Sequence, residues 1–255
     1  MSELETRQVD PFDDATFDAW HDVYFRAERQ GREELATAWT LAELRLQMQQ
    51  PTRRRRTLGF LGEAGGRAVS AGFLSLPMLD RLTHAEVAVH TVPGAERHGY
   101  ATDMLAVVEE AARAEGRSVL SGETSWAYDL GPSGHGSPGL EFALRHGYQL
   151  ALGDVVRALP LPVPDALLDE LATEAAAYHE GYTLRSFVDR VPDDLVQGWA
   201  ELDASLMTEA PTGDMDREAE TVDIEAVREG EELRRLQGRT KYSTCLLYTS
   251  DAADE

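Results

Sequence analysis

Apolar and polar positions alternate most strictly over Thr83–Val92. Ala85, Val87, Val89 and Thr91 share one side, and His84, Glu86, Ala88, His90 and Val92 share the other. A period of two predicts a strand whose first face is core-like and whose second carries the polar groups a cleft needs. Just downstream the period lengthens. Ala101, Met104, Leu105, Val108 and Ala112 form one helical stripe over Tyr100–Ala114, and Gly116 ends it. Upstream, Glu3–Val9 reads as a short strand. Asp13 or Asp14 caps a helix with Phe17, Trp20 and Tyr24 on one face, and Thr40 opens a second helix with Leu41, Leu44 and Met48 inward. Leu58–Gly62 and Ala68–Leu76 form a hairpin about Gly65-Gly66. Ser118–Ser125 is the next strand, Gly131–Gly139 a glycine-rich loop, Leu140–His146 a short helix stopped by Gly147, and Tyr148–Leu159 returns as strands.

Pro160, Pro162 and Pro164 break this pattern and favour an extended linker, followed by a helix over Asp165–Tyr178. The chain then begins again. Arg7-x-Val-Asp leads to Trp20 as Arg185-x-Phe-Val-Asp leads to Trp199, and Thr57-Leu-Gly-Phe and Thr240-Lys-Tyr-Ser each start a strand after an arginine-bearing segment. The expected organisation is one domain over 1–160, a linker and helix over 161–181, and a partial second copy over 182–244. The second counterpart of the Val92–Thr102 segment falls past Glu255. Residues 245–255 resemble the translated read-through of a sequencing adapter and are expected to be a non-native tail.

Composition narrows the function. A net charge of −22 argues against a nucleic-acid partner, because phosphates are repelled, and requires any anionic ligand to find a local basic pocket. Lys241 is the only lysine, so a lysine nucleophile is excluded from the N-terminal half. Cys245 is the only cysteine, which excludes an internal disulfide and a cysteine-based zinc site. The sequence has no apolar run long enough for a membrane span and no signal peptide at its acidic start. A cytoplasmic protein with no membrane partner is expected.

The junction of strand and helix carries the chemistry. After Val92-Pro93 a short polar loop runs into Gly99-Tyr100-Ala101, where a helix N-terminus offers free N–H groups and a positive dipole end to a pyrophosphate. The segment resembles motif A of the GNAT superfamily of acyl-CoA N-acyltransferases, in which Val-x-Pro precedes Arg/Gln-x-x-Gly-x-Gly/Ala and an amphipathic helix. Val92-Pro93 and Gly99-x-Ala101 match. The first basic position is Glu96, a departure, with positive charge supplied by Arg97 and His98. The resemblance covers roughly residues 3–160. It implies an α+β, three-layer fold whose mixed, mostly antiparallel sheet splays between its fourth and fifth strands, with an incomplete second copy behind it. It also implies acetyl-CoA as cosubstrate in that opening. The pantetheine amides would pair with the backbone of His90, Thr91 and Val92, and the pyrophosphate would sit on Arg97, His98, Gly99, Tyr100, Ala101 and Thr102.

Acyl transfer to an amine needs a base for the ammonium proton, a donor for the developing oxyanion and assistance to the leaving thiolate. Glu86 is the candidate base, directly or through water, against the alternative of a solvated or paired carboxylate. His84, Glu86 and His90 lack an evident fourth ligand, so no metal is expected. Arg53–Arg56 either meets the cofactor's phosphates or forms a charged turn. Trp126 and Tyr128 line an acceptor pocket or anchor a loop. The resemblance also implies a tyrosine acid in the helix before the last strands, but that position is Ala143, leaving Tyr100, Tyr128 or solvent as substitutes. The expected function is acetyl-CoA-dependent N-acetylation of a primary amine on an unidentified small molecule or peptide. The rivals are a non-catalytic acyl-CoA-binding regulatory domain and a plain interaction domain.

Overall fold

A computed structural model describes residues 3–178, 181–215 and 217–248. Its larger sheet has the order β1 (Glu5–Gln8), β2 (Arg55–Ala64), β3 (Arg67–Pro77), β4 (His84–Thr91), β5 (Val119–Ser121). The first four strands pair antiparallel and β4–β5 is parallel. β2 and β3 turn through Gly65 (φ 56°) and Gly66 (φ 74°). Two successive left-handed residues match the twist of a two-residue hairpin, and glycine adopts them without a Cβ penalty.

Helices α1 (Asp14–Arg29) and α2 (Leu41–Gln49) cover one face of the sheet. Phe17, Trp20, Val23, Tyr24, Leu44 and Met48 pack there on Leu61, Val69, Ala71 and Val92. The Trp20 indole N–H donates to the Gly72 carbonyl at 2.9 Å, so burying the ring leaves no orphaned donor. Asp13 stands at the α1 N-cap, but its carboxylate takes the Thr16 hydroxyl rather than a backbone N–H. Thr40 and Glu43 form a full capping box on α2. Helix α3 (Tyr100–Ala114) covers the other face, setting Met104, Val108 and Ala112 on Phe60, Leu74, Leu76, Ala85 and Val87. Its stripe and its end at Gly116 (φ 75°) follow the expected pattern. Helix α4 (Pro138–Arg145) completes this half.

Two expected strands differ. β5 is confined to Val119–Ser121 instead of Ser118–Ser125, and Tyr148–Leu159 forms no ladder. A strand needs a partner about 4.8 Å away along its length. The Ala151 carbonyl instead accepts the Asp214 N–H at 3.0 Å, so the chain from the C-terminal half occupies that backbone.

Helix α5 (Asp165–Ala175) buries none of its residues among those described. Next come β6 (Tyr182–Val188), α6 (Val196–Glu209), α7 (Ile224–Leu236) and β7 (Tyr242–Tyr248). β6 and β7 form an antiparallel two-stranded sheet, and Arg185 lies opposite Cys245 as Arg7 lies opposite Leu61. The order β6-α6-α7-β7 repeats β1-α1-α2-β2. Residues 245–248 of the expected tail belong to β7, whereas 249–255 lie outside the described residues. The halves meet through ion pairs. Arg54 reaches Glu220 (2.8 Å), and Arg53 reaches Asp223 (3.0 Å). No helix among the described residues is long and apolar enough to cross a membrane.

Candidate active site

β4 and β5 share only three ladder positions, His84–Val119, Ala85–Leu120 and Glu86–Ser121. Beyond Glu86 and Ser121 they part, leaving a gap in the sheet. At its closed end Gly122 lies so near β4 that a Cβ there would stand 2.8 Å from the Val87 carbonyl oxygen. Strand geometry directs alternate residues' N–H and C=O to opposite neighbours. The Thr83 carbonyl accepts from Ser118 and Val119, on the β5 side, while the Val92 N–H reaches Val69 O at 3.0 Å, on the β3 side. The main-chain groups aimed into the gap are therefore those of Val89 and Thr91. Of the three residues expected there, Thr91 turns its main-chain groups to the gap, whereas those of His90 and Val92 point to β3. The His90 carbonyl accepts from the Ser70 hydroxyl at 3.0 Å.

At the far end of β4 the chain turns through Gly94 (φ 90°), Arg97 (φ 66°) and Gly99 (φ 93°), the N-cap of α3. The first bond into the helix runs from Asp103 N–H to Gly99 O at 3.1 Å. Among the described residues the N–H groups of Arg97–Thr102 have no partner, as expected of a helix start, and the dipole places positive charge there. Glu96 is turned back into the loop. It accepts from the Gly94 N–H (2.7 Å) and the Gln30 side chain (3.0 Å). Hydrogen bonds from its own N–H and from Gln30 hold its carboxyl below the usual range. His98 donates from Nδ1 to the Glu96 carbonyl at 2.8 Å, and its ring stacks on Tyr100 at 5.6 Å. The Thr102 hydroxyl meets His146 Nε2 at 3.1 Å. Because His146 Nδ1 donates to Phe142 O (2.8 Å), the neutral ring accepts from Thr102, tying the start of α3 to the end of α4.

Glu86 projects on the α1–α2 side of the sheet, in a row with Thr57 and Ser75. Its side chain is 42% exposed and accepts from Arg55 at 3.1 Å. The buried Ser75 hydroxyl beside it has no hydrogen-bond partner among the described residues. The opposite face, Ala85 and Val87, packs on α3 as its pattern requires. Among the described residues no group of His, Cys, Asp and Glu could hold a metal ion. Of the Arg53–Arg56 run, Arg53 and Arg54 form the bend before β2 and Arg55 and Arg56 begin that strand, at the end of the sheet opposite the Pro93–Gly99 loop. Arg55 and Arg56 pair with Glu86 and Glu115, and the first two arginines hold the C-terminal half. Trp126 anchors its loop by donating to Gly131 O (2.9 Å), and Tyr128 is 84% exposed. Tyr148, next to the short α4 helix, donates to Glu109 at 3.0 Å. Burial, helped by that carboxylate, pushes its phenol well above the ordinary range, and the hydroxyl proton is directed to Glu109.

Sequence reasoning missed a polar cluster on the same face of the sheet. His90 Nε2 donates to Glu28 Oε1 at 2.9 Å, Arg32 pairs with the same carboxylate, and Arg32 Nη1 donates to Ser125 Oγ at 2.6 Å. Glu28 and Arg32, four apart at the end of a helix, read in sequence as an ordinary solvated pair. A cavity of about 320 Å³ lies on the β3 side of the loop, lined by Arg26, Arg67, Val92, Pro93, His98 and Tyr100.

No family model matches the chain, and no curated protein does. Solved structures do resemble it. A tandem GNAT protein from the clavulanic acid biosynthesis pathway, solved without acetyl-CoA, superposes on 98% of this chain and 72% of its own, at 22% identity and a TM-score of 0.64. An aminoglycoside acetyltransferase from an uncultured soil metagenomic sample covers 64% of this chain and 99% of its own, at 14% identity and a TM-score of 0.44. The acetyltransferase AAC(6')-Iy with a bisubstrate analogue covers 62% and 99%, at 13% identity and a TM-score of 0.43. The first of these carries the conclusion that the chain has the GNAT fold.

Proposed function

We propose that this GNAT-fold chain is an acetyltransferase that moves an acetyl group from acetyl-CoA to a primary amine of a small molecule or peptide. The observation that carries the reading is the parting of β4 from β5 beside a helix start whose N–H groups, Arg97–Thr102, are unpaired among the described residues. Acetyl-CoA, when bound, supplies an activated thioester. The residues present fit it. Arg97 and the free amides suit a pyrophosphate, and the Val89 and Thr91 backbone suits the amides of an extended arm.

Glu86 takes the ammonium proton of the acceptor, directly or through water, so that a neutral amine is presented to the gap. Arg55 holds that carboxylate in place. The Val89 N–H, aimed into the gap, is the donor for negative charge building on a carbonyl oxygen. With alanine at position 143 and Tyr148 committed to Glu109, solvent returns the proton to the leaving thiolate. The acidic surface favours a cationic acceptor. Residues 1–160 are read as one unit and 182–244 as a second copy of it, supported by the repeated element order and strand pairing.

Calorimetric titration with coenzyme A, followed by thiol release from acetyl-CoA with a panel of amines, tests the reading. Binding plus amine-dependent release is expected, and Glu86→Gln is expected to lower turnover by about 10²-fold or more with coenzyme A affinity intact. Binding without release by any amine would leave a non-catalytic acyl-CoA-binding domain. No heat of binding would remove the reading altogether.

A further inference from the structure

The Arg32–Glu28–His90 cluster has a position that a surface ion pair does not need. His90 lies four residues beyond Glu86 on β4, and Ser125 lies four residues beyond Ser121 on the chain that continues β5. Glu86–Ser121 is the last ladder pair, so His90 on β4 and Ser125 on the chain after β5 both lie past the point where the two strands are hydrogen-bonded to each other. Past that pair the ladder no longer sets their separation. A continuous polar chain spans it instead, from the Ser125 hydroxyl through the Arg32 guanidinium and the Glu28 carboxylate to the His90 imidazole.

Each link is supported from behind. Arg32 Nε also donates to the Glu28 carbonyl at 2.8 Å, fixing the guanidinium against the end of α1. The Tyr24 ring meets the His90 ring edge-on at 5.2 Å, and the Tyr24 hydroxyl accepts the Trp39 N–H at 2.9 Å. The connection between α1 and α2 is thereby tied to the same cluster. The side chains are largely shielded, with His90 12%, Glu28 27% and Arg32 36% exposed. The hydrogen bond from His90 holds Glu28 below the usual carboxylate range against the opposing effect of burial, with Arg32 adding to it. An isolated Glu–Arg pair four apart on a helix stabilises only that helix. This one is anchored at one end to β4, through His90, and at the other to the chain that follows β5, through Ser125.

We infer that Arg32, Glu28 and His90 form a clasp across the open part of the sheet, with Ser125 as its far anchor, which fixes the width of the gap and so positions the arm of an acyl-CoA lying in it. The inference rests on the acyl-CoA reading for its ligand but not for its geometry. Arg32 and Ser125 act through the gap and touch no reacting atom, so they are positioning residues.

Two readouts keep the inference separate from the reading it rests on. The first needs no ligand. In Arg32→Ala, amide hydrogen exchange in the β4–β5 ladder, whose last rung is Glu86–Ser121, is expected to rise relative to wild type, while exchange in the β2–β3 hairpin stays unchanged. The second is affinity. Coenzyme A should bind Arg32→Ala and Ser125→Ala about tenfold more weakly, the scale of one charge-assisted hydrogen bond that is partly exposed. Ser125→Thr, which keeps the hydroxyl, should bind as wild type does. In turnover the loss should fall on KM for acetyl-CoA, with kcat retained. Unchanged exchange in the β4–β5 ladder in Arg32→Ala would overturn the clasp whatever the ligand does. Raised exchange with unaltered coenzyme A affinity would overturn its positioning role. Equal losses in Ser125→Thr and Ser125→Ala would also overturn that role, since the hydroxyl would not be the anchor. If wild type itself fails to bind coenzyme A, the acyl-CoA reading falls, and the exchange experiment still decides the clasp.

Discussion

Replacing Gly122 by alanine tests whether the closed end of the gap is as tight as its geometry implies. The added Cβ would stand 2.8 Å from the Val87 carbonyl oxygen, closer than real Cβ contacts come. Its neighbour is main chain next to the last rung of the ladder and not the end of a flexible side chain. Relief requires β5 and its continuation to move away from β4 by several tenths of an ångström, at the point where only three register positions hold them. Overpacking of this kind costs about 1–3 kcal/mol. For a chain of this length that corresponds to a fall in Tm of roughly 2–4 °C per kcal/mol. The same displacement widens the gap from its root, so coenzyme A binding should weaken alongside. Gly198 in α6 is the matched control, because a Cβ there meets nothing within 4 Å. Gly198→Ala should stabilise by about 0.5–1 kcal/mol through helix propensity. Thermal melts and urea titrations of both variants, with calorimetry for coenzyme A, provide the comparison. A Gly122→Ala protein that melts and binds as wild type does would refute the claim that close backbone approach sets the opening.

Two further outcomes follow from the same structure. Trp20→Phe removes the indole donor to Gly72 O while the ladder pairing of Gly72 with Phe60 remains, which should cost about 0.5–1.5 kcal/mol in urea unfolding; an unchanged midpoint would mean that the indole hydrogen bond adds nothing net to stability. Glu28 has a folded-state pKa below its ordinary value, so its contribution is fully present above about pH 4.3 and fades as pH falls below that, through the folded value. Tm measured from pH 6 to pH 3 should therefore fall less steeply in Glu28→Gln than in wild type over the acid end, and parallel curves would count against the pairing.

Legibility in sequence tracked how local the cause was. Gly65-Gly66 fixes a hairpin with two residues, Thr40 and Glu43 fix a helix start across one turn, and the Ala101–Ala112 stripe needs only its own periodicity. The Gly99 turn was readable for the same reason, since a strand, a proline and a glycine N-cap are contiguous. What escaped depended on pairs distant in the chain. Val119–Ser121 and its continuation through Ser125 share one composition, and the strand ends where β4 diverges from it. Leu150 and Leu152 have the alternation of a strand, but Ala151 is engaged by Asp214. Which β4 amides face the gap follows from the β3 register, which the alternation of side chains along the strand does not contain. The clasp joins residues 28, 32, 90 and 125, and no local pattern contains it.

The β2–β3 hairpin has a consequence for the order in which the molecule assembles. Its ladder runs from Ala64–Arg67 to Arg55–Pro77, so its pairs close outward from a two-residue turn with little loss of chain entropy at each step. The parallel β4–β5 contact must instead wait for the whole of α3 to be threaded between its partners. Low contact order at one end of the sheet and high contact order at the other favour an early hairpin nucleus, with the ligand-facing edge among the last parts to consolidate.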